Sequence, residues 1–247
     1  TTEVNSDAPW EHPQAEELDK ISFHHWLRNI SGDEVACNNV GLFIAGGMLT
    51  KPAHTFSALQ ALLMSSSAGS FSNLVDEDFI LDRRIVGTMQ GVSIALAERL
   101  GEDVFLNNPV LKLDWSDAGV TAHGADVSVN AKKVIVAVPP NLYSRISYNP
   151  PLPRRQHVTH QHQSMGLVIK VHAVYETPFW REEGLSGTCF GPSAIVQEVY
   201  DNTYHGESTG TLVGFISDTQ ADAMFALDEA ARKEAILKGI AGFLGDK

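Results

Sequence analysis

Two charged residues sit in stretches of the chain that are otherwise apolar. Lys170 stands in GLVIKVHAVYE and Glu198 in AIVQEVYD, and both runs have the period of two that reads as β-strand. Alternation puts Leu167, Ile169, Val171, Ala173 and Tyr175 on one face of the first strand, and Val168, Lys170, His172 and Val174 on the other. The first face is core. The second faces either solvent or a partly polar cavity, and a lysine buried there would need a partner or a lowered pKa. Glu198 shares its face with Val196 and Tyr200. That leaves two readings: exposure at a sheet edge, or a carboxylate on a cavity wall, where it would anchor an ammonium group.

Other chemistry-bearing residues are weaker candidates. Neither His24-His25 nor His160 with His162 has helical i, i+4 spacing beside a carboxylate, so these read as surface histidines and no metal is expected. The run Asp76-Glu77-Asp78 reads as a solvated turn. The chain has no G-x-G-x-x-G after a strand, no G-x-x-x-x-G-K-[ST] and no G-x-S-x-G, so the residues alone give no complete nucleotide site and no serine nucleophile. Cys37 and Cys189 lie far apart, outside any C-x-x-C, and read as reduced thiols of a cytoplasmic protein. With 18 basic against 30 acidic side chains the formal charge is -12, which disfavours nucleic acid and favours cationic small molecules. No apolar run has membrane-spanning length, and no signal-peptide pattern is visible.

The elements that must position these residues follow from pattern and punctuation. Residues 1 to 100 read mainly as helices. Ser31 with Glu34 forms a capping box before VACNNVGLFIAGGM, Thr55 caps FSALQALLMSSS, and Gly46-Gly47 with Pro52 separates the two. MQGVSIALAERLG is a third helix ending at Gly101. From residue 104 short β-segments follow, and VIVAV at 134–138 is apolar on both faces like a central strand. A helix over 153–163, further strands at TCFG, AIVQEVYD and GTLVGFIS, and the amphipathic helix DEAARKEAILKGIAGFL complete an α+β pattern.

SDAPW, FSAL at 56–59, RIVGTMQGVS at 84–93, NPVLKLDW at 108–115, VIVAVPP at 134–140, YNPPLP at 148–153 and GLVIKVHAVYETPFW followed by GLSGTCFG occur in this order. Together they resemble the flavin-dependent amine oxidases, the family of the monoamine oxidases, over nearly the whole chain. MLTKPAHTFSAL and SAGSFSNLVDEDFILD are similar to the bacterial putrescine oxidase branch. The resemblance implies an α+β fold in which an FAD-binding domain is interleaved with a substrate domain of antiparallel mixed sheet and flanking helices. Residues 1–85 are then the helical part of the substrate domain, 86–150 part of the FAD domain, and 151–247 the sheet part of the substrate domain. By the same likeness the dinucleotide fingerprint lies before residue 1 and the flavin-covering segment after residue 247.

Residue roles carry over one by one. By the resemblance Val110 meets the adenine side of FAD, and Ala137 to Pro139 form the turn beside the cofactor. Lys170 matches the lysine that holds a water against the reactive flavin nitrogen. Phe190 and Phe215 match cavity walls and Leu74 a gating residue, although all three equally suit a plain core. Glu198 falls where the monoamine oxidases have an aromatic cavity residue, and a carboxylate there attracts the second ammonium group of a diamine. Thr88, in Gly87-Thr88-Met89-Gln90, departs from the family's paired glycines and could crowd a close backbone approach. The implied activity is FAD-dependent oxidative deamination of a primary amine, a diamine such as putrescine, with dioxygen as oxidant and aldehyde, ammonia and hydrogen peroxide as products, in a homodimeric enzyme. The alternatives are another monoamine or polyamine oxidase, or a chain without catalysis because it lacks the pyrophosphate loop.

Overall fold

The computed structural model describes residues 3–76, 79, 83, 85–192 and 194–245. It divides into two compact units, Thr1–Asp82 with Gly166–Lys247, and Arg83–Met165.

The larger unit begins with helices α1 (Ala15–Lys20), α2 (Phe23–Ile30) and α3 (Glu34–Gly41). Ser22 caps α2 by accepting the His25 N–H at 3.2 Å, and Phe23 and Leu27, one turn apart, enter the core. The predicted Ser31–Glu34 box does not form. Asp33 caps α3 instead, accepting the Ala36 N–H at 3.1 Å, while Ser31 Oγ accepts the Asp33 N–H and Glu34 pairs with Arg28. An ionised carboxylate is the stronger acceptor at a helix start, where the dipole also favours negative charge.

Helix α3 continues as a π-helix over Leu42–Leu49, so Gly46 and Gly47 lie inside a helix rather than between two. The chain turns out of it at Thr50, whose φ is 50°. Helix α4 (Ala58–Ser67) is capped by Ser57, not Thr55. Ser57 Oγ accepts the Gln60 N–H, and the Thr55 hydroxyl donates back to the Pro52 carbonyl. With α5 (Phe71–Leu74) these helices enclose Phe23, Leu27, Cys37, Ile44, Ala61 and Leu74.

In the smaller unit α6 (Gln90–Leu100) ends at Gly101, with φ 56°, as the sequence predicts. Strands β1 (Lys112–Ser116), β2 (Gly119–His123), β3 (Ser128–Ala131) and β4 (Ser147–Asn149) make a sheet of order β3-β2-β1-β4, with only the β1–β4 pair parallel. Helix α7 (Arg154–Gln161) packs on the 3-10 helix Pro140–Arg145. The predicted central strand at 134–138 pairs with no strand among the described residues, and Ile135 is 90% exposed. A segment apolar on both faces needs ladder partners and cover on each side, and the described residues supply neither.

One polar network braces this sheet. Asp114 Oδ2 accepts from Lys112 Nζ and lies 2.8 Å from His123 Nε2, and its Oδ1 accepts from Asn149 Nδ2 at 2.8 Å. The hydrogen bond from Lys112 first, then that from Asn149, hold the Asp114 carboxyl down at about 2. A depressed carboxylate stabilises the fold above its unfolded value, and that contribution is lost as pH falls through its folded value. Thermal unfolding between pH 5 and pH 2 is therefore expected to show a loss of stability across about pH 4 to about pH 2, which Asp114→Asn flattens. An identical acid limb in the variant would remove Asp114 as its cause.

The larger unit resumes with β5 (Val168–Tyr175), α8 (Phe179–Glu182), β6 (Cys189–Phe190), β7 (Glu198–Asp201), β8 (Gly210–Ser217), α9 (Asp218–Phe225) and α10 (Glu229–Leu244). The four strands form an antiparallel sheet of order β5-β8-β7-β6. One face, with Ala173, Val199, Leu212 and Ile216, packs on Ala221, Met224, Ile236 and Ile240 of α9 and α10. Val196 joins this core, not the face of Glu198 as alternation predicts. The Gln197 N–H donates to the carbonyl of Phe215, the residue that also pairs with Glu198. Two residues thus oppose one, a β-bulge that shifts the alternation by one place.

Trp180 is fully buried in the same core and donates to Asp201 Oδ2 at 2.8 Å, where Arg181 Nε also donates at 2.7 Å. Burial pushes the Asp201 carboxyl up, and hydrogen bonds from Arg181, Trp180 and Thr203 more than offset it, so it lies below its ordinary value. Trp180→Phe keeps an aromatic ring but loses the donor and some volume, and should cost about 1–2 kcal/mol in chemical unfolding. An unchanged midpoint would mean that the indole N–H contributes nothing net.

Candidate active site

The sheet face opposite α10 brings four of the residues singled out in the sequence into one row. Lys170 pairs with Phe215 across β5–β8, Phe215 with Glu198 across β8–β7, and Glu198 with Phe190 across β7–β6. Directly opposed residues of antiparallel strands project to the same side, so the four side chains stand next to one another across the whole sheet. Lys170 is exposed, and its Nζ lies 5.5 Å from the centre of the Phe215 ring, within cation–π reach. His172 shares its exposed face.

Glu198 is only 4% exposed. Tyr200, two residues along the same strand, donates its hydroxyl to Glu198 Oε2 at 3.0 Å. Its ring is held edge-on against Phe190 at 5.6 Å and Phe215 at 6.1 Å. Phe43, from the π-helix, lies 4.9 Å from Phe190, and Phe71 of α5 meets Phe43 at 6.3 Å. The glycines of the π-helix close the site: a Cβ at Gly47 would fall 2.8 Å from Glu198 Oε1 and 3.1 Å from Oε2. Ser217 Oγ donates to the Gly46 carbonyl at 3.0 Å and ties this helix to β8.

Glu198 Oε1 is buried without a hydrogen-bond partner among the described residues. Burial pushes the Glu198 carboxyl above its ordinary value, with the Tyr200 hydrogen bond acting against the rise. A carboxylate in this setting is completed either by a proton or by a cation. Aromatic walls beside it suit methylene groups, so the row has the chemistry to hold an alkyl chain that ends in an ammonium group.

The remaining candidates lie elsewhere. Leu74 is buried in the helical cluster with Phe23 and Ile44 and is not part of the row. Val110, Ala137 and Pro139 are exposed residues of the smaller unit. Thr88 has a φ of 69° beside Gly87 at 84°. The backbone there takes the left-handed form that glycine favours although the residue is a threonine. His160 packs edge-on against Tyr143 at 4.3 Å, and no cluster of three or more metal-ligating side chains exists among the described residues. Glu77 and Asp78 of the acidic run lie outside the described residues. No helix among the described residues is long and apolar enough to cross a membrane.

Sequence reasoning placed Tyr200 on the face of Glu198 but missed its contact with the carboxylate. It also missed Phe43, Gly46, Gly47 and Ser217. The one usable signal was the Gly-Gly pair inside an apolar helical run, which marks close approach as well as a break.

A model of the flavin-containing amine oxidoreductase family matches residues 2–247. The chain is 61% identical to the putrescine oxidase of Kocuria rosea over 99% of its own length and 54% of that protein's. It is 30% identical to the flavin-containing amine oxidase B of Homo sapiens over 98% of its own length and 47% of the other's. Among solved structures, a wild-type putrescine oxidase bound to putrescine superimposes with a TM-score of 0.94 at 65% identity, covering 98% of this chain and 54% of that one. The cyclohexylamine oxidase of Brevibacterium oxydans superimposes with a TM-score of 0.85 at 25% identity, again over 98% and 54%. The chain therefore spans about half the length of the curated relatives it matches.

Proposed function

This chain belongs to the flavin-containing amine oxidoreductase family, and from that premise we propose that it carries the substrate-recognition sheet of an FAD-dependent oxidase of small diamines such as putrescine. The observation that carries the reading is the buried Glu198 carboxylate with one oxygen unpartnered. Relatives named for putrescine and for cyclohexylamine both occur. A carboxylate among aromatic walls favours the doubly charged substrate, because a neutral tail would leave it buried and uncompensated.

FAD is the cofactor of the family, and the residues here fit it. Val110, Ala137 and Pro139 are open to contact, and Lys170 presents its Nζ on an exposed face. Bound FAD would supply two-electron oxidation at the amine's α-carbon with dioxygen as the final acceptor, so that the products with water would be aldehyde, ammonia and hydrogen peroxide.

The chain's own side chains bind and orient. Glu198 pairs with the distal ammonium, Phe190, Phe215 and Tyr200 line the methylenes and exclude water, and Lys170 holds a water beside the flavin. Lys170 and Glu198 stand two strands apart, about 10 Å between backbones, with Phe215 between them in the row. Because the Glu198 pKa is raised and the diamine binds the charged form, the KM for a diamine rises as pH falls through that pKa, whereas a monoamine shows no such limb.

Peroxide release by the flavin-loaded protein with putrescine, benzylamine and spermidine tests this reading. Putrescine is expected to have the highest kcat/KM, and preference for benzylamine would overturn the diamine reading. The assignment of residues 86–150 to flavin binding and of 1–85 and 151–247 to substrate binding is part of the same proposal. It concerns what each segment binds, which compactness does not address. So are a cytoplasmic setting, which suits two free thiols at Cys37 and Cys189, and a homodimer, which sedimentation of the flavin-loaded protein would test.

A further inference from the structure

The π-helix Leu42–Leu49 packs its glycine pair against the one carboxylate buried in this sheet. An ideal Cβ on Gly47 would stand 2.8 Å from Glu198 Oε1, closer than real Cβ atoms come, and 3.1 Å from Oε2 and 3.2 Å from Cδ, tighter than most real contacts. The backbone of Gly47 needs no glycine for conformational reasons, since its φ is not positive. The missing side chain is therefore a matter of space, and the space is filled by the carboxylate. On the other side Tyr200 holds Oε2 at 3.0 Å, and its ring is fixed between Phe190 and Phe215. Ser217 anchors the helix by donating to Gly46 O. Oε1 remains without a partner among the described residues.

We infer that Gly47 and Tyr200 are the specificity-determining pair for the second ammonium group of a diamine: Gly47 by leaving the notch in which the Glu198 carboxylate stands, Tyr200 by holding one carboxylate oxygen so that the other is left for the ligand. This rests on the reading of Glu198 given above. Neither residue touches the reacting carbon: Gly47 acts through Glu198 as a positioning residue, and so does the Tyr200 hydroxyl, whose ring separately lines the methylenes. A methyl group at position 47 drives the carboxylate out of its notch, so that Gly47→Ala imitates the loss of the Glu198 charge although Glu198 is still present. Loss of the Tyr200 hydroxyl leaves the ring packing intact and removes the hydrogen bond that favours the charged carboxylate. Tyr200 is the titratable group in contact with Glu198, and Lys170, across Phe215, is the charged group farther along the row.

The test is steady-state kinetics of the flavin-loaded protein with putrescine and benzylamine for wild type, Glu198→Gln, Gly47→Ala, the Gly47→Ala/Glu198→Gln double variant and Tyr200→Phe. Gly47→Ala is expected to raise the putrescine KM about tenfold, the size of one lost charge-assisted hydrogen bond, with the benzylamine KM and both kcat values within about twofold. The double variant is expected to be no worse than Glu198→Gln alone, because two changes acting on one group are not additive. Tyr200→Phe is expected to move the acid limb of the putrescine 1/KM profile to higher pH. If Glu198→Gln itself fails to separate the two substrates, the reading of the site falls. If Glu198→Gln separates them while Gly47→Ala keeps the full putrescine preference, or while Tyr200→Phe leaves the acid limb in place, the present inference falls and the reading of Glu198 stands. Should Gly47→Ala not fold, the Tyr200→Phe profile decides alone.

Discussion

Glu198→Gln is expected to raise the KM for putrescine on the order of 10- to 100-fold, the range set by one hydrogen bond to a charged group, and to leave that for benzylamine within about twofold. The change is nearly isosteric, so Phe190, Tyr200 and Phe215 keep their packing and the Tyr200 hydroxyl keeps an acceptor. What disappears is the negative charge facing the distal ammonium, in a site where Glu198 is 4% exposed and Coulomb attraction is little screened. A free ammonium left beside a neutral amide in an aromatic setting pays a desolvation cost that the glutamate offsets. The split between substrates is the diagnostic part. Steady-state kinetics with both amines at a pH above the Glu198 transition measures it, and an equal rise in both KM values would reduce Glu198 to a packing residue.

Lys170→Met is expected to lower turnover about 100-fold, at the low end of what a positioned proton-handling group contributes, while flavin absorbance of the purified protein stays at the wild-type level. Lys170 lies at the end of the row, exposed, with its ammonium over the Phe215 ring. A lysine that served only the sheet would be replaced by methionine at little cost, because the unbranched stem packs in the same way. A lysine that holds a water beside the flavin loses that function entirely. Stopped-flow reoxidation of the reduced protein by dioxygen separates the two, and an unchanged rate would return Lys170 to a structural role.

Much of this site can be read from residue order, and the parts that cannot share a physical cause. Lys170 and Glu198 stand out because period-two alternation is strict within a strand, and Phe190 and Phe215 follow from the matched family positions. Their meeting in one row depends on strand register, which alternation within each strand does not encode. Alternation misplaces Val196 because a bulge at Gln197–Glu198 shifts the phase, and no residue type there announces it. Gly46-Gly47 reads as punctuation from sequence, yet the pair lies inside a helix where Glu198, more than 150 positions later, takes the space. Thr55 and Ser31 lost their capping roles to Ser57 and Asp33, neighbours of equal or better acceptor strength. The apolar run 134–138 reads as a two-sided central strand, but a strand needs partners, and none among the described residues pairs with it.

In the proposed reading the buried Glu198 carboxylate makes this sheet recognise a second positive charge. The most direct measurement compares kcat/KM of the flavin-loaded protein for 1,4-diaminobutane and for butylamine, which differ only in the distal ammonium, across a pH series. A preference for the diamine of at least about tenfold is expected, equivalent to about 1.4 kcal/mol, shrinking as pH falls through the raised pKa of Glu198. Equal kcat/KM values for the two amines at every pH would contradict it.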